Sequence, residues 1–80
     1  MHSDKTTTIA LASDWVQITD GSATEVIQFF GVIDVCRNPI QPDLLTPCLR
    51  FEATTLTINA PDIAWMRSAY PGITVTAFIW

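Results

Sequence analysis

The sequence predicts an all-β domain, a small antiparallel β-sandwich or barrel of jelly-roll-like form with seven or eight short strands. Three observations carry that expectation. β-branched and aliphatic residues recur with period two in runs of four to six residues, which is the side-chain period of a strand. Turn-forming Gly, Pro, Asn and Asp interrupt those runs at short, regular intervals. No window shows the 3.6-residue period of an amphipathic helix, and many short strands without helices call for a sandwich or barrel.

Taken in order, residues 1–5 read as a flexible N-terminal arm. Residues 6–11, Thr-Thr-Thr-Ile-Ala-Leu, are rich in β-branched side chains and read as the first strand. After a turn at Ser13-Asp14, residues 15–19 alternate as a second strand, with Val16 and Ile18 on one face. Asp20-Gly21 is a hairpin signal, because Asp-Gly readily supplies the positive φ of a tight turn. Residues 25–30 form a third strand, stopped by Gly31, and residues 32–37 a fourth.

Residues 38–47 break the pattern with Pro39, Pro42 and Pro47. Proline has no N–H to give to a ladder, so this segment is expected as a loop or an edge-hugging crossover. Ile40, Leu44 and Leu45 make it unusually apolar and mark it as a segment that packs on something. Residues 48–53 alternate again, with Leu49, Phe51 and Ala53 expected inward and Arg50 and Glu52 outward. Residues 56–58 make a short strand before the turn at Asn59-Ala60-Pro61-Asp62.

Residues 64–80 read as strand, Pro71-Gly72 turn, strand, a closing hairpin. Pro-Gly suits the central positions of a type II turn, where Pro presets φ and Gly takes the positive φ. Ile73, Val75, Ala77 and Ile79 share one face of the last strand; Thr74, Thr76, Phe78 and Trp80 share the other. A sheet packed on one side has no need of two aromatics on its polar face. That surplus points to burial completed against a partner.

Composition points the same way. The eighty residues make one domain with a small core, yet 49% are hydrophobic and only 15% charged. No apolar run approaches the roughly 20 residues that span a bilayer. The polar residues 1–8 lack the apolar core of a secretory signal, so intracellular synthesis is expected. The four basic residues, Lys5, Arg37, Arg50 and Arg67, are scattered in a chain of net charge −4. Nucleic acid and anionic membrane surfaces are therefore not expected partners. Burial in an assembly remains, with a homo-oligomer, a trimer first, as the expected state.

The side chains of catalysis are sparse. His2 is the only histidine, so neither a Ser/His nor a Cys/His pair has its base. The carboxylates Asp14, Asp20, Glu25, Asp34, Asp43, Glu52 and Asp62 fall mostly in turns or at outward strand positions and are expected to be solvated. Cys36 and Cys48 bracket the Pro-rich loop; without an export signal both are expected as reduced thiols. Their spacing and the single histidine do not form a metal set, and Gly21, Gly31 and Gly72 do not form a phosphate loop. Neither enzymatic activity nor a cofactor is expected. Trp15, Trp65, Trp80 and Tyr70 suit core or interface filling, with a sugar-stacking platform as the alternative.

The segment Asp14-Trp15-Val16-Gln17-Ile18-Thr19-Asp20-Gly21, with Ala64-Trp65-Met66-Arg67-Ser68-Ala69 and the closing Thr-Val-Thr strand, resembles small virion proteins of tailed bacteriophages. The resemblance implies a non-enzymatic capsid decoration or cement protein, or else a fibre or receptor-binding component. It further implies a place on the virion, assembled in the host cytoplasm, with the major capsid protein or another virion protein as partner. The residues expected at such contacts are Ile40, Leu44, Leu45, Trp65, Phe78 and Trp80.

Overall fold

The computed structural model describes residues 5–80, so most of the expected arm lies outside the described residues. Eight strands follow in order: β1 Thr7–Leu11, β2 Val16–Gln17, β3 Glu25–Phe29, β4 Val32–Arg37, β5 Leu49–Glu52, β6 Thr55–Ile58, β7 Ala64–Ser68 and β8 Val75–Ile79. They form two four-stranded antiparallel sheets. Sheet I has the order β1-β8-β3-β6, and sheet II the order β2-β7-β4-β5. Strand 1 thus pairs with 8, 2 with 7, 3 with 6 and 4 with 5. That is one long antiparallel hairpin rolled up so that its rungs alternate between sheets, the jelly-roll arrangement.

The fold class matches the expectation, but the connections reverse it. Asp20-Gly21 does not close a hairpin: β2 lies in sheet II and β3 in sheet I. Pro71-Gly72 likewise carries the chain from sheet II to sheet I, so residues 64–80 form no hairpin. Of its two expected forms the Pro-rich segment takes the loop, not the crossover. It joins β4 to β5, neighbours in sheet II, and among the described strands it is the only connection that stays within a sheet. Turn chemistry specifies local dihedral angles, not the sheet that the next strand enters.

Those local angles are as expected. Ile73 N–H donates to Tyr70 O at 3.2 Å and Gly72 has φ +79, the signature of a type II turn. Gly21 has φ +86, and a Cβ there would lie 2.7 Å from the Pro61 carbonyl oxygen. Glycine is required at that position twice over, by dihedral and by space.

β2 is shorter than expected because Thr19 replaces the ladder with its side chain. Ile18 N–H donates to Ala64 O at 2.8 Å. The buried Thr19 hydroxyl then accepts from Ala64 N–H at 2.9 Å and donates to Asp62 O at 2.8 Å. The core lies between the sheets, built from Leu11, Ile18, Ile27, Phe29, Ile33, Val35, Met66, Val75, Ala77 and Ile79. β3, β4 and β8 supply alternate residues to it. The aliphatic face of β8, Val75, Ala77 and Ile79, is the inward one, as its pattern predicts, whereas Ile73 precedes the strand and is 54% exposed.

Inward-facing β5 departs from expectation. Phe51 is half-buried, but Leu49 is 67% exposed and Ala53 is exposed with φ +35. β5 and β6 are the edge strands of their sheets, joined at the corner formed by Ala53 and Thr54. From that corner they run towards Leu49 and Ile58, and there the sandwich stays open.

Candidate interaction surfaces

Among the described residues, the four strands of sheet I place no charge on its outer face. Glu25 is the single charged residue in its four strands, and it is buried. Outward register rows set Thr8 beside Phe78, Phe78 beside Gln28, and Gln28 beside Thr55. Gln28 Nε2 donates to Thr55 Oγ1 at 3.3 Å. The Phe30 ring meets Phe78 edge-on, with centroids 6.2 Å apart and planes at 70°, a favourable aromatic geometry. Trp80 N–H is held by the Val26 carbonyl at 2.9 Å, while its side chain is 78% exposed, and Phe30 is 71% exposed. A depression of about 360 Å³ lies among Thr6, Val26, Gln28, Thr55, Phe78 and Trp80.

The outer face of sheet II is charged, and its central carboxylate is satisfied internally. Asp34 of β4 stands in register between Arg67 of β7 and Arg50 of β5. Arg50 Nε donates to Asp34 Oδ1 at 3.0 Å and Arg67 Nε to Oδ2 at 3.4 Å. The Asp34 bond holds the Arg50 guanidinium pKa above its ordinary value. Aromatic rings end the row on both sides: the Arg67 guanidinium lies 4.3 Å from the Trp15 ring centroid, and that of Arg50 lies 5.4 Å from Tyr70's. Asp34 is buried beneath these neighbours, which corrects the expectation of a solvated carboxylate. Glu25 is buried too. An outward position becomes covered when its cross-strand neighbours are long arginines.

The loop between β4 and β5 folds over part of sheet II. Trp65 Nε1 donates to Asn38 O at 2.9 Å, pinning the start of the loop. Pro42 is buried, and with Gln41, Asp43 and Leu44 it lines a depression shared with Trp15 and Arg67. The tip is a hydrogen-bonded turn. Asp43 Oδ1 accepts from Leu45 N–H at 2.8 Å and from the Thr46 hydroxyl at 3.0 Å. The Leu45 amide first, and the Thr46 hydroxyl second, pull the Asp43 pKa below its ordinary 3.8. The turn presents Leu44 and Leu45 at 92% and 90% exposure.

A groove of about 420 Å³ opens between β5 and β6, lined by Leu49, Phe51, Leu56 and Ile58 with Arg37, Pro47 and both cysteines. Cys36 and Cys48 are free thiols, the first buried and the second exposed. Burial, and secondarily the neighbouring Cys48, push the Cys36 thiol pKa up.

Phe78 and Trp80 therefore share one surface, and Ile40, Leu44 and Leu45 share a loop that stands elsewhere. Trp65 is half-buried and committed to its own chain. The sequence reading missed Phe30 as a surface residue, although period two from Phe29 puts it on the outer face. It also missed Leu49, whose inward position conceals an exposed side chain. Among the described residues no group of three His, Cys, Asp or Glu side chains is placed to hold a metal ion. Comparison with protein-family models, curated proteins and solved structures finds no match.

Proposed function

We propose that the chain is a non-enzymatic structural protein that docks through the outer face of sheet I onto a larger assembly. The observation that carries the reading is that face itself: four strands without an outward charge, bearing Phe30, Phe78 and Trp80. Monomeric proteins rarely leave such aromatic surface to water, and aromatics concentrate at the energetic centres of contacts. Burying it releases roughly 25 cal/mol per Å² before ordering costs.

The resemblance of residues 14–21 and 64–69 to tailed-phage virion proteins supplies the assembly, a phage particle, and the role, capsid decoration or cement. The jelly roll serves many functions and does not choose among them. The expected partners are further copies of the chain and the major capsid protein. In a density gradient of purified phage particles, the tagged chain is expected to band with them. Recovery only at the top of the gradient contradicts the reading.

A second reading rests on the same depression, where Trp80 and Phe78 adjoin Gln28, Thr55 and Thr6. Aromatic rings beside hydrogen-bonding side chains suit carbohydrate, as in a receptor-binding module. Glycan-array binding that disappears in Trp80→Ala supports it, whereas a cement protein gives no signal.

A further inference from the structure

We infer that the Asp43-Leu44-Leu45 tip of one copy seats in the groove between β5 and β6 of a second copy. The groove is an unfinished side of the core. Leu49 faces inward by register with Val35, yet it is two-thirds exposed, and Phe51, Leu56 and Ile58 beside it are only half-buried. Among the described strands, β5 pairs only with β4 and β6 only with β3. An apolar occupant there completes the burial that the two edge strands leave open.

The same chain carries a matching projection. Leu44 and Leu45 are the most exposed large hydrophobic residues of the described chain. They are held in place by the Asp43–Thr46 turn rather than left to flex, which lowers the ordering cost of docking. Charge is compatible with this seating: Arg37 lines the groove, its side chain 73% exposed although bonded through Nη1 to Asp62 at 3.3 Å, and no acidic residue lines it, while Asp43 flanks the leucines. The tip does not serve its own groove. Leu44 stands with Trp15 and Arg67, on the β2–β7 side of sheet II, and the groove lies beyond β5 at the opposite edge. The contact therefore joins unlike surfaces of two copies; a heterologous contact of this kind forms a ring, as in the expected trimer, where its rotation closes, and an open filament where it does not. It rests on the reading that copies assemble, but it does not require a particle.

Two introduced sulfurs, one on the tip and one on the far wall of the groove, provide a direct test; native Cys48 is removed because it lies three residues from position 45 and would close a bridge within the chain. In the full chain carrying Cys36→Ser, Cys48→Ser, Leu45→Cys and Ile58→Cys, nitrogen-14 and nitrogen-15 preparations are mixed and oxidised. The oxidant is oxidised glutathione, which is reduced as the protein thiols join. Disulfide-linked peptides pairing position 45 of one isotope with position 58 of the other are expected. In sedimentation, Leu44→Ser/Leu45→Ser and, separately, Leu49→Ser are expected to raise the association midpoint by about 30-fold or more, with β-type circular dichroism unchanged. Absence of mixed-isotope peptides at that pairing overturns the proposal, and so does association that survives both variants. Should the wild-type chain stay monomeric in sedimentation yet band with particles, the contact between copies fails and the docking role stands. Mixed peptides without particle banding give the converse.

Discussion

The two outer faces of this sandwich solve the same problem in opposite ways. On sheet II an outward carboxylate, Asp34, is covered by two arginines, and each arginine lies against an aromatic ring. The buried carboxylate and the two arginines beside it are satisfied within the chain, and exposed Glu52 of β5 is left to water. On sheet I the outward positions hold threonines, Gln28 and three aromatics, and Trp80 and Phe30 remain mostly in water. Charges that satisfy one another stabilise a fold, whereas aromatic surface left over is available to a neighbour. The comparison teaches that composition counts mislead when averaged over a molecule. The low charge content belongs mainly to one face.

The largest stability effect is expected on sheet II. Asp34→Ala removes the acceptor of two guanidinium groups and is expected to cost about 2 kcal/mol. That lies below the usual cost of breaking a fully buried pair, because Arg50 and to a lesser degree Arg67 regain water. Urea unfolding measures it. Arg67→Ala should cost more than Arg50→Ala, since Arg67 is the less exposed and packs closer to its ring. Equal losses would show that the closer ring and deeper burial of Arg67 add nothing over the Arg50–Tyr70 arrangement.

The thiols sharpen the contrast between buried and open regions. Cys48 is expected to react with iodoacetamide in the folded state well before Cys36, whose burial disfavours the thiolate. After unfolding without reductant both should be labelled. A mass two daltons below the reduced value, with neither labelled, contradicts the free-thiol state.

A smaller effect is expected at the loop tip. The folded-state pKa of Asp43 is depressed, so its contribution to the turn is fully present above the ordinary 3.8 and is lost as pH falls through the lower folded value. The Leu45 amide resonance should therefore shift with a midpoint below 3.8. In Asp43→Asn that titration should vanish while the turn persists.

Much of the fold was legible because period two and turn residues are local signals. Val75, Ala77 and Ile79 face inward, and the strands fall nearly where alternation puts them. The connections were not legible, because Asp20-Gly21 and Pro71-Gly72 fit a hairpin and a sheet-to-sheet turn equally well. Only the long-range pairing of β1 with β8 and β2 with β7 decides between the two. Of the contact residues, Phe78 and Trp80 were visible from the alternation of β8. The loop leucines were visible as apolar residues among prolines. Asp34 was hidden, since its cover comes from Arg50 and Arg67, 16 and 33 residues away. Leu49 was hidden for the opposite reason, as nothing in its own segment reveals that β5 and β6 part.

The central claim is that the face of sheet I is a docking surface rather than part of the fold's own support. Phe30→Ser/Trp80→Ser tests it most directly, with urea unfolding and particle banding measured on one preparation. Unfolding free energy within about 1 kcal/mol of wild type is predicted, because both side chains are already largely solvated, together with loss of banding. Banding at wild-type level with the fold intact would contradict the claim, and so would unfolding of the double variant.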